Sequence, residues 1–192
     1  MNVLIIPENF THDQHILKPI IEKMLSAIGK PKAKVRVLRD PILGGIGEAL
    51  KWERLKEIID ERKGMTTLFL LCVDRDGNKN RKIQLEQIEA NAKEILSSDR
   101  LFLAENAWQE LEVWLLAGHT DLPTAWKWED VQNERDPKEL YFMPFATKKG
   151  VVNEQSQGRK KLAEQADYRR ISQLCGEVRS LESRIEVWLK NL

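Results

Sequence analysis

The segment Leu68-Phe69-Leu70-Leu71-Cys72-Val73-Asp74-Arg75-Asp76-Gly77-Asn78 constrains this chain more than any other. Six largely apolar residues in a row predict a strand buried on both faces, as in parallel sheets covered by helices. Asp, Gly and Asn then stop it, being the residues that tolerate tight or left-handed backbone. In extended backbone Asp74 and Asp76, two apart, point the same way. Two neighbouring anions repel unless a cation joins them. Open α/β sheets place ligands at the carboxyl ends of their strands. The cation suited to carboxylate oxygens at such a place is Mg²⁺ or Mn²⁺.

The rest of the chain supplies partners for that strand. Asn2 to Pro7 predict a first strand with Glu8 at its end. Thr11-His12-Asp13-Gln14 has the form of a capping box, with Thr11 as cap and Gln14 reaching back. Ile16, Leu17, Ile20, Ile21, Met24, Leu25 and Ile28 follow at helical spacing, and Gly29 closes the helix. Pro19 suits this helix only if it starts late or bends. Val35 and Val37 mark a second strand, and Pro41 to Gly47 a loop leading into a helix over about 48–62. After the 66–73 strand come a charged helix over about 80–97, a fourth strand at Leu101-Phe102-Leu103-Ala104, and a helix from Ala107 to Ala117. Strands alternating with such helices predict an α/β fold: a mainly parallel sheet of about four strands flanked by helices. Residues 1–117 form this core. Residues 118–158 lose the rhythm and read as an irregular insert or lid. Residues 159–192 return to helix, with Leu162, Ile171, Leu174, Val178, Leu181, Ile185 and Leu189 at helical intervals.

Composition excludes several classes. A chain with 42% hydrophobic and 32% charged residues is not of the disordered type. No apolar stretch approaches the roughly 20 residues of a membrane span. The opening residues, Met1 to Pro7, read as a strand and not as an export signal. Two cysteines, one inside the core strand, do not make a disulfide framework, which fits a reducing, cytoplasmic setting. Charge is uneven: residues 1–85 carry sixteen basic against eleven acidic groups, residues 86–140 five against thirteen, and residues 141–192 ten against six. So acidic a middle does not attract phosphate backbone in bulk. Lys148, Lys149, Arg159, Lys160, Lys161, Arg169 and Arg170 form either a local basic surface beside an acidic site or a mixed solvated surface.

Glu8 ends strand one, Asp74 and Asp76 end strand three, and Glu105, Glu110 and Glu112 lie at or just after strand four. With those strands parallel and adjacent, the acids gather at one edge. Three or four such groups hold one or two Mg²⁺, which polarise a phosphodiester and activate water. Asp-x-Asp-Gly alone is a common turn, so convergence with Glu8 carries the reading. The loop is not an EF-hand, because Lys79 stands where glycine belongs and Leu85 where the bidentate glutamate belongs.

These residues also match a known pattern. Pro7-Glu8, then Asp13 and an apolar helix, then Val73-Asp74-Arg75-Asp76-Gly77, resembles the Toprim fold of topoisomerases, primases and OLD-type nucleases. The tighter likeness is to small stand-alone Toprim-like proteins, often encoded beside ATPases in prokaryotic defence loci. Glu112-Val113-Trp114-Leu115-Leu116-Ala117, Gly158-Arg159-Lys160-Lys161-Leu162-Ala163 and Ala166-Asp167 carry that likeness, which is weakest across 118–150. The resemblance implies that Glu8, Asp74 and Asp76 are metal ligands or general acid/base groups. One departure is Asn9, where many such domains have glycine; a side chain there narrows the approach of a phosphate to the backbone.

Other signals have plainer readings. Gly44-Gly45-Ile46-Gly47 lacks the partners of a P-loop and reads as a flexible turn. His12 and His15 have no further His or Cys to complete a zinc set and read as surface residues. Trp108 and Trp114 are expected in the core, whereas Trp126 and Trp128 suit an interaction surface. Glu112 shares a predicted helix face with Trp108 and is either a structural anchor or a further metal ligand. Arg75, Arg159, Lys160 and Lys161 are the expected nucleic-acid contacts. The expected function is therefore a Mg²⁺- or Mn²⁺-dependent nuclease or phosphodiesterase of Toprim type in an anti-phage defence system, acting with an ATPase. Catalysis falls to Glu8, Asp74 and Asp76, and metal binding to the same three with Glu112. The alternative is a non-catalytic partner or regulatory subunit of a defence ATPase. A homo-oligomer is left open, and no membrane association is expected.

Overall fold

The computed structural model describes residues 1–151 and 155–192; residues 152–154 of the predicted insert lie outside it. Four strands, β1 (Asn2–Pro7), β2 (Lys34–Val37), β3 (Leu68–Val73) and β4 (Leu101–Asn106), form one sheet in the order β2-β1-β3-β4. Every neighbouring pair is parallel. The α/β expectation holds, and β3 is buried at every position because helices cover both faces.

Alternation along the strands divides the core in two. Val3, Ile5, Leu68, Leu70 and Cys72 face helix α1 (Phe10–Ala27) and the later helices. Leu4, Ile6, Phe69, Leu71 and Val73 face helices α3 (Trp52–Arg62) and α4 (Arg81–Ile95). The crossover after β1 thus runs over one face, and those after β2 and β3 over the other. The winding reverses between β1 and β3, and this is the crevice where open parallel sheets bind ligands.

Several boundaries differ from expectation. Helix α1 starts at Phe10, two residues before the predicted cap would allow, because Asn9 caps it. The Asn9 side chain accepts the Thr11 N–H at 3.1 Å, and Asp13 Oδ2 accepts the Asn9 N–H at 2.8 Å. The reciprocal pair is Asn9 with Asp13, not Thr11 with Gln14. Pro19 lies inside the helix and is buried, so the missing N–H is tolerated within a continuous apolar face. The predicted 48–62 helix is split into the short α2 (Ile46–Ala49) and α3. Gly44 and Gly45, at φ +70° and +117°, make the turn before α2.

The largest difference follows β4. The strand runs on to Asn106, and residues 107–111 are a loop, so helix α5 is only Glu112–Ala117. Trp108 therefore shares no helix face with Glu112; it is 42% exposed, whereas Trp114 is fully buried. The region expected to be irregular contains helix α6 (Trp128–Asn133), a π-helical turn at Lys138–Phe142 and helix α7 (Met143–Lys148). Its Phe142, Phe145, Ala146 and Val151 are buried in the same core as α1, and Trp126 and Trp128 pack against that core. Helices α8 (Gln155–Gln165), α9 (Tyr168–Leu174) and α10 (Gly176–Lys190) complete this layer. No helix of the described residues is long and apolar enough to cross a membrane.

Gly118 ends α5 against the corner between α8 and α9, and its carbonyl accepts the Asp167 N–H at 2.8 Å. An added Cβ would stand 2.4 Å from Ala166 Cβ and 3.0 Å from its Cα. Gly118→Ala should lower stability by about 1–3 kcal/mol in urea denaturation. Gly176→Ala, with nothing within 4 Å of the new methyl group, should stay within about 0.5 kcal/mol of the parent.

Candidate functional site

Register between the two central strands builds the site. Pro7 pairs with Cys72, so Glu8 and Asp74 leave the sheet side by side at the crevice. The Asp74 N–H donates to Glu8 Oε2 at 3.2 Å. Asp74 Oδ1 accepts the Leu111 N–H at 2.8 Å, while the Glu8 carbonyl accepts the Gly45 N–H at 3.0 Å. The glycine turn and the loop after β4 therefore brace the two acids from opposite sides.

Asp74 and Asp76 do not share an extended backbone. The chain turns at once after Val73, and Asp76 sits in the left-handed region at φ +50°, followed by Gly77 at +68°. Strand alternation therefore does not align their side chains. Gln109, which the sequence reading missed, fixes this turn. Its carbonyl accepts the Arg75 and Asp76 N–H groups at 2.8 and 3.3 Å, and its side chain accepts the Gly77 N–H at 3.1 Å. Asp76 remains close enough to Glu8 to raise its proton affinity.

Electrostatically the cluster holds more negative than positive charge. Burial pushes the Asp74 carboxyl well above its ordinary range, and the charges of Glu8, Glu112 and Asp13 push it further. Glu8 is raised by burial and by Asp76 and Glu112, against the Asp74 N–H and Arg81, a buried cation, which pull it down. Asp13 is raised to about 7, chiefly by burial and also by Glu8. Its proximity to the cluster follows from the cap: the side chain that closes the α1 terminus also faces Glu8.

The other expected residues are dispersed. Glu105 turns toward α10, where Oε2 accepts from Arg184 at 3.0 Å. Glu110 accepts the Lys138 N–H at 3.0 Å, and burial raises it to about 7. Glu112 stays near the cluster but pairs with Arg159 at 3.1 Å, both side chains being buried. Arg159 is thus turned inward, against the Phe142 ring, and offers no surface to a nucleic-acid strand. Lys160 and Lys161 are exposed on α8. Arg75 lies over the Trp108 ring, its guanidinium carbon 4.3 Å from the centroid.

Among the described residues no group of three or more His, Cys, Asp and Glu side chains is placed to hold a metal ion alone. Mg²⁺ needs no such cage, since it is commonly held by one or two carboxylates with waters and substrate phosphates. The Glu8–Asp74 pair, hard oxygen donors with unmet negative charge, fits that mode. Compared with family models, curated proteins and solved structures, the chain matches none.

Two measurements test this electrostatic picture. An Asp13 that is protonated up to about pH 7 in the folded protein, but only to about 4 when unfolded, costs stability as pH rises between those values. Asp13→Asn keeps an acceptor for the Asn9 N–H. Its stability relative to the parent should be unchanged near pH 4, rise toward pH 7 and then level off in urea melts. Separately, Arg159→Met strands a buried carboxylate and should cost about 3–5 kcal/mol, much of it recovered in the double variant with Glu112→Leu.

Proposed function

We propose that this protein is a divalent-metal-dependent phosphodiesterase that cleaves nucleic acid. The observation that carries the reading is the contact between Glu8 and Asp74 at the reversal point of a parallel sheet. Two carboxylates there, with Asp76 and Asp13 close by, form a desolvated anionic centre that a hard cation would neutralise. Glu8 and Asp74 would hold the ion, which supplies Lewis-acid polarisation of the phosphodiester and an activated water.

The chain's own groups divide the remaining work. Asp74 is oriented by the Leu111 N–H and keeps Oδ2 free of protein donors among the described residues. Glu8 would be the second ligand, its Oε2 positioned by the Asp74 N–H. Asp76 contributes negative charge on the solvent side of the turn. Glu112, whose Oε1 is engaged by Arg159, serves as a structural anchor of α8 against α5 before it serves as a ligand. Asn9 does not crowd this edge needlessly, because its side chain is spent on capping α1. The anti-phage setting and the ATPase partner rest on the Toprim resemblance alone.

Glu8→Gln and Asp74→Asn keep side-chain size and an acceptor for the existing N–H bonds. Each should reduce Mg²⁺- or Mn²⁺-dependent cleavage of labelled DNA or RNA by at least about a hundredfold. Asp76→Ala should also abolish it. Calorimetry should show Mn²⁺ binding by the parent and weaker binding by Asp74→Asn. Full cleavage by Asp74→Asn, or a parent that neither binds the ion nor cleaves, would leave the non-catalytic partner role as the better account.

A further inference from the structure

A second feature lies beside the acidic edge, on the other side of the Asp74–Asn78 turn. A cleft of about 430 Å³ is lined there by Arg75, Lys79, Lys82 and Trp108, with Glu105 and Glu177 beneath. Trp108 is 42% exposed, unusual for the largest apolar side chain, and two hydrogen bonds hold it. Its indole N–H donates to Asn133 at 3.1 Å, and its backbone N–H donates to Glu177 at 3.2 Å. The Arg75 guanidinium lies on its ring. The result is a fixed planar stack, open to solvent, of the kind on which nucleobases pack.

Charge in the cleft favours an anion. The Glu177 carboxylate is engaged by two donors, Trp108 N–H and the Trp114 indole at 2.9 Å. Glu105 is engaged by Arg184 and by the Asn106 N–H. Among the described residues, Arg75, Lys79 and Lys82 have no carboxylate within salt-bridge distance. Three cations thus line the opening, against Glu105, which is paired with Arg184, and Glu177, whose Oε1 accepts two N–H groups.

We infer that this cleft is a subsite for single-stranded nucleic acid, in which a base stacks on Trp108 and Arg75 while Lys79 and Lys82 hold the flanking phosphates. Arg75 lies between Asp74 and Asp76 in sequence, so one turn contributes both to the cleft and to the acidic edge. The choice of a strand rests on the phosphodiesterase reading; the stacking and charge do not.

The test is fluorescence anisotropy with a fluorescein-labelled oligothymidylate of about a dozen nucleotides, in EDTA, so that metal chemistry is absent. The parent should bind, and Trp108→Ala should weaken binding roughly tenfold or more, with Trp108→Phe recovering most of it. Lys79→Ala and Lys82→Ala should each lower the slope of log affinity against log salt by about 0.7. Unchanged affinity in Trp108→Ala, with its fold verified by circular dichroism, overturns the subsite whether or not the protein cleaves. Equal competition by thymidine monophosphate assigns the cleft to a free nucleotide and overturns the strand. Trp108-dependent binding without any divalent-dependent cleavage leaves the subsite standing and removes the phosphodiesterase reading.

Discussion

The parallel pairing of β1 with β3 is the contact on which the candidate site rests. Five consecutive residue pairs, from Val3–Leu68 to Pro7–Cys72, bring the two strands to the same height. Both chains then leave the sheet together, and the first acidic residue on each side meets the other through the Asp74 N–H. A slip of one residue would break this contact and also turn apolar side chains to the wrong face. Burial on both faces of β3 makes such a slip costly.

That arrangement concentrates unfavourable charge. Glu8, Asp13 and Asp74 are each desolvated; Glu8 raises the proton affinity of the two aspartates, and Asp13 adds to that of Asp74. Backbone donors and the buried Arg81 offset only part of this. Clusters of this sort are more typical of functional sites than of stabilising cores, because packing alone gains nothing from them. The fold supports the strain with short loops: Gly45 holds the Glu8 backbone, and Gln109 grips the turn that carries Asp76.

The later part of the chain frames the site and packs against the sheet layers. Glu177 on α10 secures both a buried and an exposed tryptophan, and Arg159 on α8 closes over Glu112. Arg184 reaches from α10 to Glu89, Glu105 and the Ala104 carbonyl, so the exposed edge of β4 is covered by side chains. The helices after residue 155 are therefore joined to the α/β core by buried polar contacts as well as by apolar packing.

The four strands, the helices α1, α3 and α4 that cover them and the parallel sense of the sheet are legible in the amino-acid order alone. Uninterrupted apolar runs such as Leu68–Val73 have few other solutions once helices alternate with them. The same order also marked Glu8 and Asp74, because acids at strand ends sit at one edge of any such sheet. Which acids stay together depends on contacts between residues far apart in the chain. Glu105 found Arg184 and Glu112 found Arg159, cations about 80 and 50 residues away, and no local pattern encodes partners that distant. Trp108 is exposed for a related reason: the helix expected from Ala107 gave way to a loop whose backbone was needed to hold Asp74 and Asp76. Local periodicity set the elements, and long-range electrostatics and backbone donors set the site.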